Sequence, residues 1–182
     1  MIVNFHEHPK DGLIEKMAAT GVDVSVLLPV GEENNPRAEE MAAAHPDRFV
    51  AFFWPGYAED FEGCADRFRA ARRRGGARGV KFQLLLQHAA PDDRRLYPMY
   101  EACAREEAPV LFHCGMVAFR QEFGRPHLSA YANTVHGADR VAADFPELRI
   151  VIAHLGGNYS YEALIAAEKH PNVYLDTAFL HF

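Results

Sequence analysis

Apolar and polar positions along this chain switch repeatedly between two periods. Short runs rich in β-branched and aromatic residues, at Ile2–His6, Val24–Val30, Phe49–Trp54, Gly79–Leu84, Pro109–Cys114, Arg149–His154 and Val173–Asp176, predict strands. Between them, Leu13–Ala19, Arg37–Ala44, Phe61–Arg74, Leu96–Glu107, Asn133–Asp144 and Tyr159–Lys169 are Ala-rich and read as helices. Strict alternation argues for a parallel sheet wrapped by helices, because a parallel crossover needs roughly a dozen residues or more.

A weak internal repeat supports this order. Ala42-Ala43-Ala44-His45-Pro46-Asp47, Ala142-Ala143-Asp144-Phe145-Pro146-Glu147 and Ala166-Ala167-Glu168-Lys169-His170-Pro171-Asn172 each lead from a helix into a strand. Proline disfavours helical dihedrals in the residue before it, and the polar residue after it turns the chain. His45 and His170 are thereby explained as helix-end residues without chemistry.

Seven such strands suit either a (β/α) barrel or an open doubly wound sheet, and no Gly-rich nucleotide fingerprint follows the first strand. The polar residues decide for the barrel. His6, His8, His113, His154 and Asp176 all fall at the C-terminal ends of predicted strands, the rim on which a barrel builds its active site.

The opening Met1-Ile2-Val3-Asn4-Phe5-His6-Glu7-His8-Pro9 ends a strand in His-x-His. A strand repeats every second residue, so both imidazoles share a face while Glu7 looks away, and Pro9 ends the strand. Val110–Gly115 and Arg149–Gly157 share a second design, in which an apolar strand delivers a histidine and glycine lets the backbone turn beside it. Four such histidines can supply three neutral nitrogens to a tetrahedral zinc, leave a position for water and keep one imidazole for proton transfer. Lys81 is one of only four lysines. Inside a strand it must pair with a carboxylate, bind an anion or be modified if it points inward; otherwise it snorkels at an edge.

Length and composition narrow the remaining classes. With 182 residues, 49% of them hydrophobic, the chain is expected to form one domain over 1–182. The net charge of -6 is that of an ordinary acidic protein and its Lys and Arg are not gathered into a nucleic-acid face, so no nucleic-acid partner is expected; the one basic cluster, Arg67 to Arg78, is expected on a solvated helix face and C-terminus. Cys64, Cys103 and Cys114 are odd in number and lack CxxC spacing, as in reduced cytosolic proteins. No basic leader or membrane-length apolar run is present, so a soluble, cytoplasmic protein without a membrane partner is expected.

From the opening His6-x-His8, through Gly79-Val80-Lys81, Leu96–Cys103 and Pro109–His113, to Phe145–Gly157 and Asn172–Thr177, the sequence resembles the amidohydrolase superfamily. The branch it resembles includes the aminocarboxymuconate-semialdehyde decarboxylase-like enzymes. The stretch from Phe145-Pro146 to His154-Leu155-Gly156-Gly157 is the most specific part. The resemblance implies a metal-bearing (β/α)8 TIM-type barrel, with His6, His8 and His113 as metal ligands and His154 as a catalytic or second-metal residue. Two departures stand out: Asn4 takes a place that is usually Asp, and the chain stops at Phe182, after what matches the seventh strand. It is therefore expected to be a C-terminally incomplete barrel lacking the eighth βα unit and its characteristic Asp, with Asp176 considered as a substitute.

The function expected is a metal-dependent hydrolase or non-oxidative decarboxylase acting on a small carboxylated, amide or lactone substrate. Its cofactor is a divalent metal, zinc, and His154 and Asp176 are its catalytic candidates. Arg120 and Arg125, in the segment after the His113 strand, could grip a substrate carboxylate; Lys81 and Trp54 are further substrate-binding candidates. A phosphoesterase-type metal barrel and a catalytically inactive barrel fragment are the alternatives. The edges of an unclosed sheet leave a homo-oligomer open.

Overall fold

The computed structural model describes residues 1–56, 60–61, 63–87, 89–114 and 134–178. The chain forms two compact units, Met1–Lys81 and Phe82–Phe182.

The first unit runs β1 (Val3–Glu7), α1 (Leu13–Thr20), β2 (Val24–Leu27), α2 (Asn35–Ala44), β3 (Phe49–Phe53), α3 (Cys64–Arg73) and β4 (Ala77–Phe82), the last residue of which, Phe82, begins the second unit. Each strand pairs in parallel with the next. Leu13 and Met17 of α1 pack with Leu27, Ala38, Phe49 and Ala51, which buries the apolar stripe of each helix against the sheet. Gly79 lies in register with Phe52, and a Cβ there would come within 2.5 Å of the Phe52 ring. Phe52 in turn meets Phe5 of β1 edge-to-face at 5.8 Å, so the missing side chain at 79 makes room for an aromatic layer between strands.

The second unit runs α4 (Tyr97–Arg105), β5 (Val110–Phe112), α5 (Val135–Asp144), β6 (Ile150–Ile152), α6 (Ser160–Lys169) and β7 (Val173–Leu175), with β5, β6 and β7 parallel in sequence order. β5 and β6 are buried at every residue, which is why their sequences are continuous apolar runs without alternation. Tyr100 anchors the core of this unit. Its ring meets Phe82, Phe112 and Phe145 at 5.5, 5.9 and 5.7 Å, while its hydroxyl donates to the Pro91 carbonyl at 2.7 Å.

All thirteen expected elements are present, and the repeat read from the sequence is one recurring turn. His45, Phe145 and His170 each donate a backbone N–H to the carbonyl four residues back, closing the helix. Each then accepts at 3.0 Å from the residue three ahead, Arg48, Leu148 and Val173. Asn172 fastens one of these turns from outside, its amide donating to the carbonyls of Phe145 and Leu148 at 3.0 and 2.9 Å.

Arg67, Arg69, Arg72, Arg73 and Arg74 of the basic cluster lie on α3 and its C-terminal end as expected, whereas Arg78 falls in β4; several are tied to acids, Arg67 to Asp60, Arg69 to Asp66 and Arg74 to Glu39. Cys64, Cys103 and Cys114 are all buried, and none is in a disulfide. Among the described residues no helix is long and apolar enough to cross a membrane.

Candidate metal centre

In the first unit, β1 ends at Glu7 and His8 lies just beyond it, with a register shift between Asn4 and Glu7. The two imidazoles therefore do not follow simple strand alternation; their rings stand 5.7 Å apart and nearly perpendicular. Glu7 is turned into the protein, 7% exposed, and receives Lys10 and Lys16 at 2.9 Å each. Burial alone would raise its carboxyl, but the two lysines and the His8 N–H outweigh that and hold it at about 2. Glu7 thus locks the strand exit from which His6 and His8 emerge, and Asn4 adds a side-chain acceptor for the His6 N–H at 3.2 Å.

The His8 ring is oriented by the main chain. Its Nδ1 lies 2.7 Å from the Leu28 carbonyl, while the Leu28 N–H donates to the Glu7 carbonyl at 2.7 Å. A carbonyl only accepts, so Nδ1 carries the hydrogen and Nε2 keeps its lone pair, the form a metal ligand needs. Desolvation of the ring, with the Lys81 cation adding to it, depresses the His8 pKa below the usual 6.5 against the opposing Leu28 bond, which favours the neutral form. Lys81 does not snorkel: it is 1% exposed, with Nζ 3.2 Å from His6 Nε2. Trp54 follows β3 and is 5% exposed.

The second unit holds His113, His154 and Asp176. His113 follows β5 and anchors its N–H on the Phe82 carbonyl at 2.8 Å. After β6 the chain enters the left-handed region for four residues, His154, Leu155, Gly156 and Gly157, with φ of 58°, 49°, 74° and 59°. Gly156 is required there, since a Cβ would sit 2.7 Å from that of Ala163. His154 and Leu155 have no such freedom, and holding two side-chain-bearing residues left-handed costs about 2–4 kcal/mol. Hydrogen bonds from Asp176, the residue after β7, offset that cost. Asp176 Oδ1 accepts from the His154 N–H at 2.8 Å, and the Asp176 carbonyl accepts from Leu155 N–H at 2.7 Å.

The turn brings His154 Nε2 to 3.1 Å from His113 Nδ1 and His154 Nδ1 to 3.0 Å from the Ala178 carbonyl. The carbonyl fixes the direction of the series. His154 Nδ1 carries its hydrogen, Nε2 accepts from His113 Nδ1–H, and the lone pair of His113 is left on Nε2. His8 and His113 thus present the same nitrogen in the same protonation state, which is the donor chemistry a divalent ion would need.

Of the residues singled out from the sequence, His6, His8 and Lys81 cluster in one unit and His113, His154 and Asp176 in the other. Arg120 and Arg125 lie outside the described residues. The Leu28 and Ala178 carbonyls, which set the ring orientations, carry no sequence signature because every residue has a carbonyl. The glycine pair at 156–157 marked a turn, but not that it begins two residues earlier.

Solved structures share this fold. The chain is similar to an uncharacterised TIM-barrel protein from Bordetella bronchiseptica, with 26% identity and a TM-score of 0.73, over 91% of this chain and 58% of that one. It is also similar to 4-oxalomesaconate hydratase from Rhodopseudomonas palustris, at 20% identity and a TM-score of 0.73, over 100% of this chain and 75% of that one. A third likeness is to 5-carboxyvanillate decarboxylase from Novosphingobium aromaticivorans, solved with manganese and 4-hydroxy-3-methoxy-5-nitrobenzoic acid, at 16% identity and a TM-score of 0.63, over 92% and 58%. The chain spans a little over half the length of the first and third of these proteins, and its strand–helix units follow their TIM-type (β/α) barrel fold. No curated protein matches it. The amidohydrolase family model matches residues 4–181, almost the whole sequence, and the chain belongs to that family.

Proposed function

We propose that the protein is a metal-dependent hydrolase or non-oxidative decarboxylase acting on a small carboxylated, amide or lactone substrate. His6, His8 and His113 would hold one divalent ion, and three neutral nitrogen donors suit zinc. The observation that carries this reading is the pair of carbonyl-anchored hydrogen-bond patterns, His8 to Leu28 and His113 through His154 to Ala178, which leave both Nε2 atoms in the ligand form. When bound, such an ion acts as a Lewis acid toward water or a substrate oxygen.

The chain's own residues supply the rest. His154 is the proton carrier: with Nδ1 tied to Ala178, its basic nitrogen is Nε2, and the bond from His113 must give way for it to take a proton from elsewhere. Lys81, buried at the end of β4 beside His6, is the cation for a substrate carboxylate, with Arg120 and Arg125 as further grips and Trp54 as an apolar wall. Family membership and the decarboxylase and hydratase relatives support the reaction class.

The test is elemental analysis of the purified protein, with turnover measured on a panel of carboxylated phenols, amides and lactones. About one divalent ion per chain is expected, with any activity lost to a chelator and restored by zinc or manganese. A well-folded protein that neither retains nor takes up a divalent ion would overturn the proposal.

A further inference from the structure

The carboxylate of Asp176 is 6% exposed, and its position is defined by the backbone around His154. One oxygen, Oδ1, accepts two main-chain hydrogens, from His154 at 2.8 Å and from Ala178 at 3.1 Å. These two residues are the two ends of the link that orients the His154 ring, since His154 Nδ1 bonds to the Ala178 carbonyl at 3.0 Å. Backbone bonds on either side of the carboxylate complete the clamp: Asp176 N–H donates to Ile152 at 3.1 Å, and its carbonyl accepts from Leu155 at 2.7 Å. The side chain also lies 4.0 Å from His154 Nδ1, too far for a direct hydrogen bond to the ring.

We infer that Asp176 is a positioning residue: by holding the left-handed turn at His154 and the Ala178 peptide together, it fixes the tautomer of His154 and, through His154, presents His113 Nε2 as a ligand. The inference rests on the proposed roles of His113 and His154. It assigns Asp176 neither coordination nor proton transfer. The role needs an oxygen that accepts two N–H bonds, and an amide oxygen can do that as well as a carboxylate.

The experiment reads ring protonation directly, by ¹H–¹⁵N imidazole spectra of the chelator-treated, metal-free protein at neutral pH, alongside zinc affinity. The His154 signals are assigned by their loss in His154→Gln. In the parent protein His154 should be in the Nδ1–H form. Asp176→Asn should keep that form and bind zinc within about threefold of the parent, because the two acceptor bonds survive. Asp176→Ala should lose the fixed tautomer and weaken zinc binding about 10–100-fold, as expected for loss of an outer partner of a ligand. If the Ala variant does not fold, the Asn variant decides. A folded Asp176→Asn protein with the Ala-like loss would show that the charge itself is needed, and a folded Ala variant with parental tautomer and affinity would show that the clamp is dispensable; either result overturns the inference. Absence of zinc binding in the parent protein would count against the metal reading alone, leaving the tautomer comparison readable.

Discussion

Asn35 and Trp54 are paired through both main-chain polar groups of Trp54: Asn35 Oδ1 accepts from the Trp54 N–H at 2.8 Å and its Nδ2 donates to the Trp54 carbonyl at 2.9 Å. Asn35 opens α2 and is 5% exposed, and Trp54 is the residue after β3. The amide satisfies main-chain groups that have left the strand ladder in a place water does not reach. Replacing Asn35 with Leu should cost about 2–4 kcal/mol, the penalty for stranding a buried donor and acceptor. Urea unfolding of the two proteins measures this, and a loss below 1 kcal/mol would mean the bonds are not needed.

Glu7 makes stability depend on acid in a defined direction. Its folded pKa, about 2, lies below the ordinary 4.5, so its contribution is fully present above 4.5 and disappears as the pH falls from there through 2. Glu7→Gln should therefore be less stable than the parent by roughly 2 kcal/mol at neutral pH, allowing for the screening of two half-exposed lysines. The gap should close between about pH 4.5 and 2, the window set by that shift. Denaturant midpoints for both proteins across this range test it; a gap that stays constant to pH 2 would contradict the account.

The histidines should separate by role on metal binding. His113→Ala removes a proposed ligand and should lose the ion, while His154→Asn should retain it, weakened about 10–100-fold by loss of the outer hydrogen bond, and abolish turnover. Equal metal loss in the two variants would make His154 a ligand in its own right.

The elements of the fold were legible because their signals are local. An apolar run bounded by Pro, Asp or Gly at Arg149–His154, or an Ala-rich helix closed by Phe145-Pro146, depends on neighbours within a few residues, and period and turn chemistry describe those interactions. The candidate ligands were legible for the same reason: a histidine at the end of an apolar strand stands out in one dimension.

Local pattern alone sets the order of strands and helices, the strand-end histidines and the turn residues beside them. The three-dimensional fold decides which nitrogen of the His8 and His113 rings keeps its lone pair, that Lys81 is buried beside His6, that Glu7 is a buried ion-pair partner and that Asp176 grips the backbone of His154. Apart from Glu7, whose partners Lys10 and Lys16 lie three and nine residues on, each depends on residues 20 or more apart in the chain, such as His8 with Leu28 and His154 with Asp176, or on main-chain carbonyls that any residue would provide. Side-chain identity carries no information about which carbonyl the fold brings within hydrogen-bonding distance.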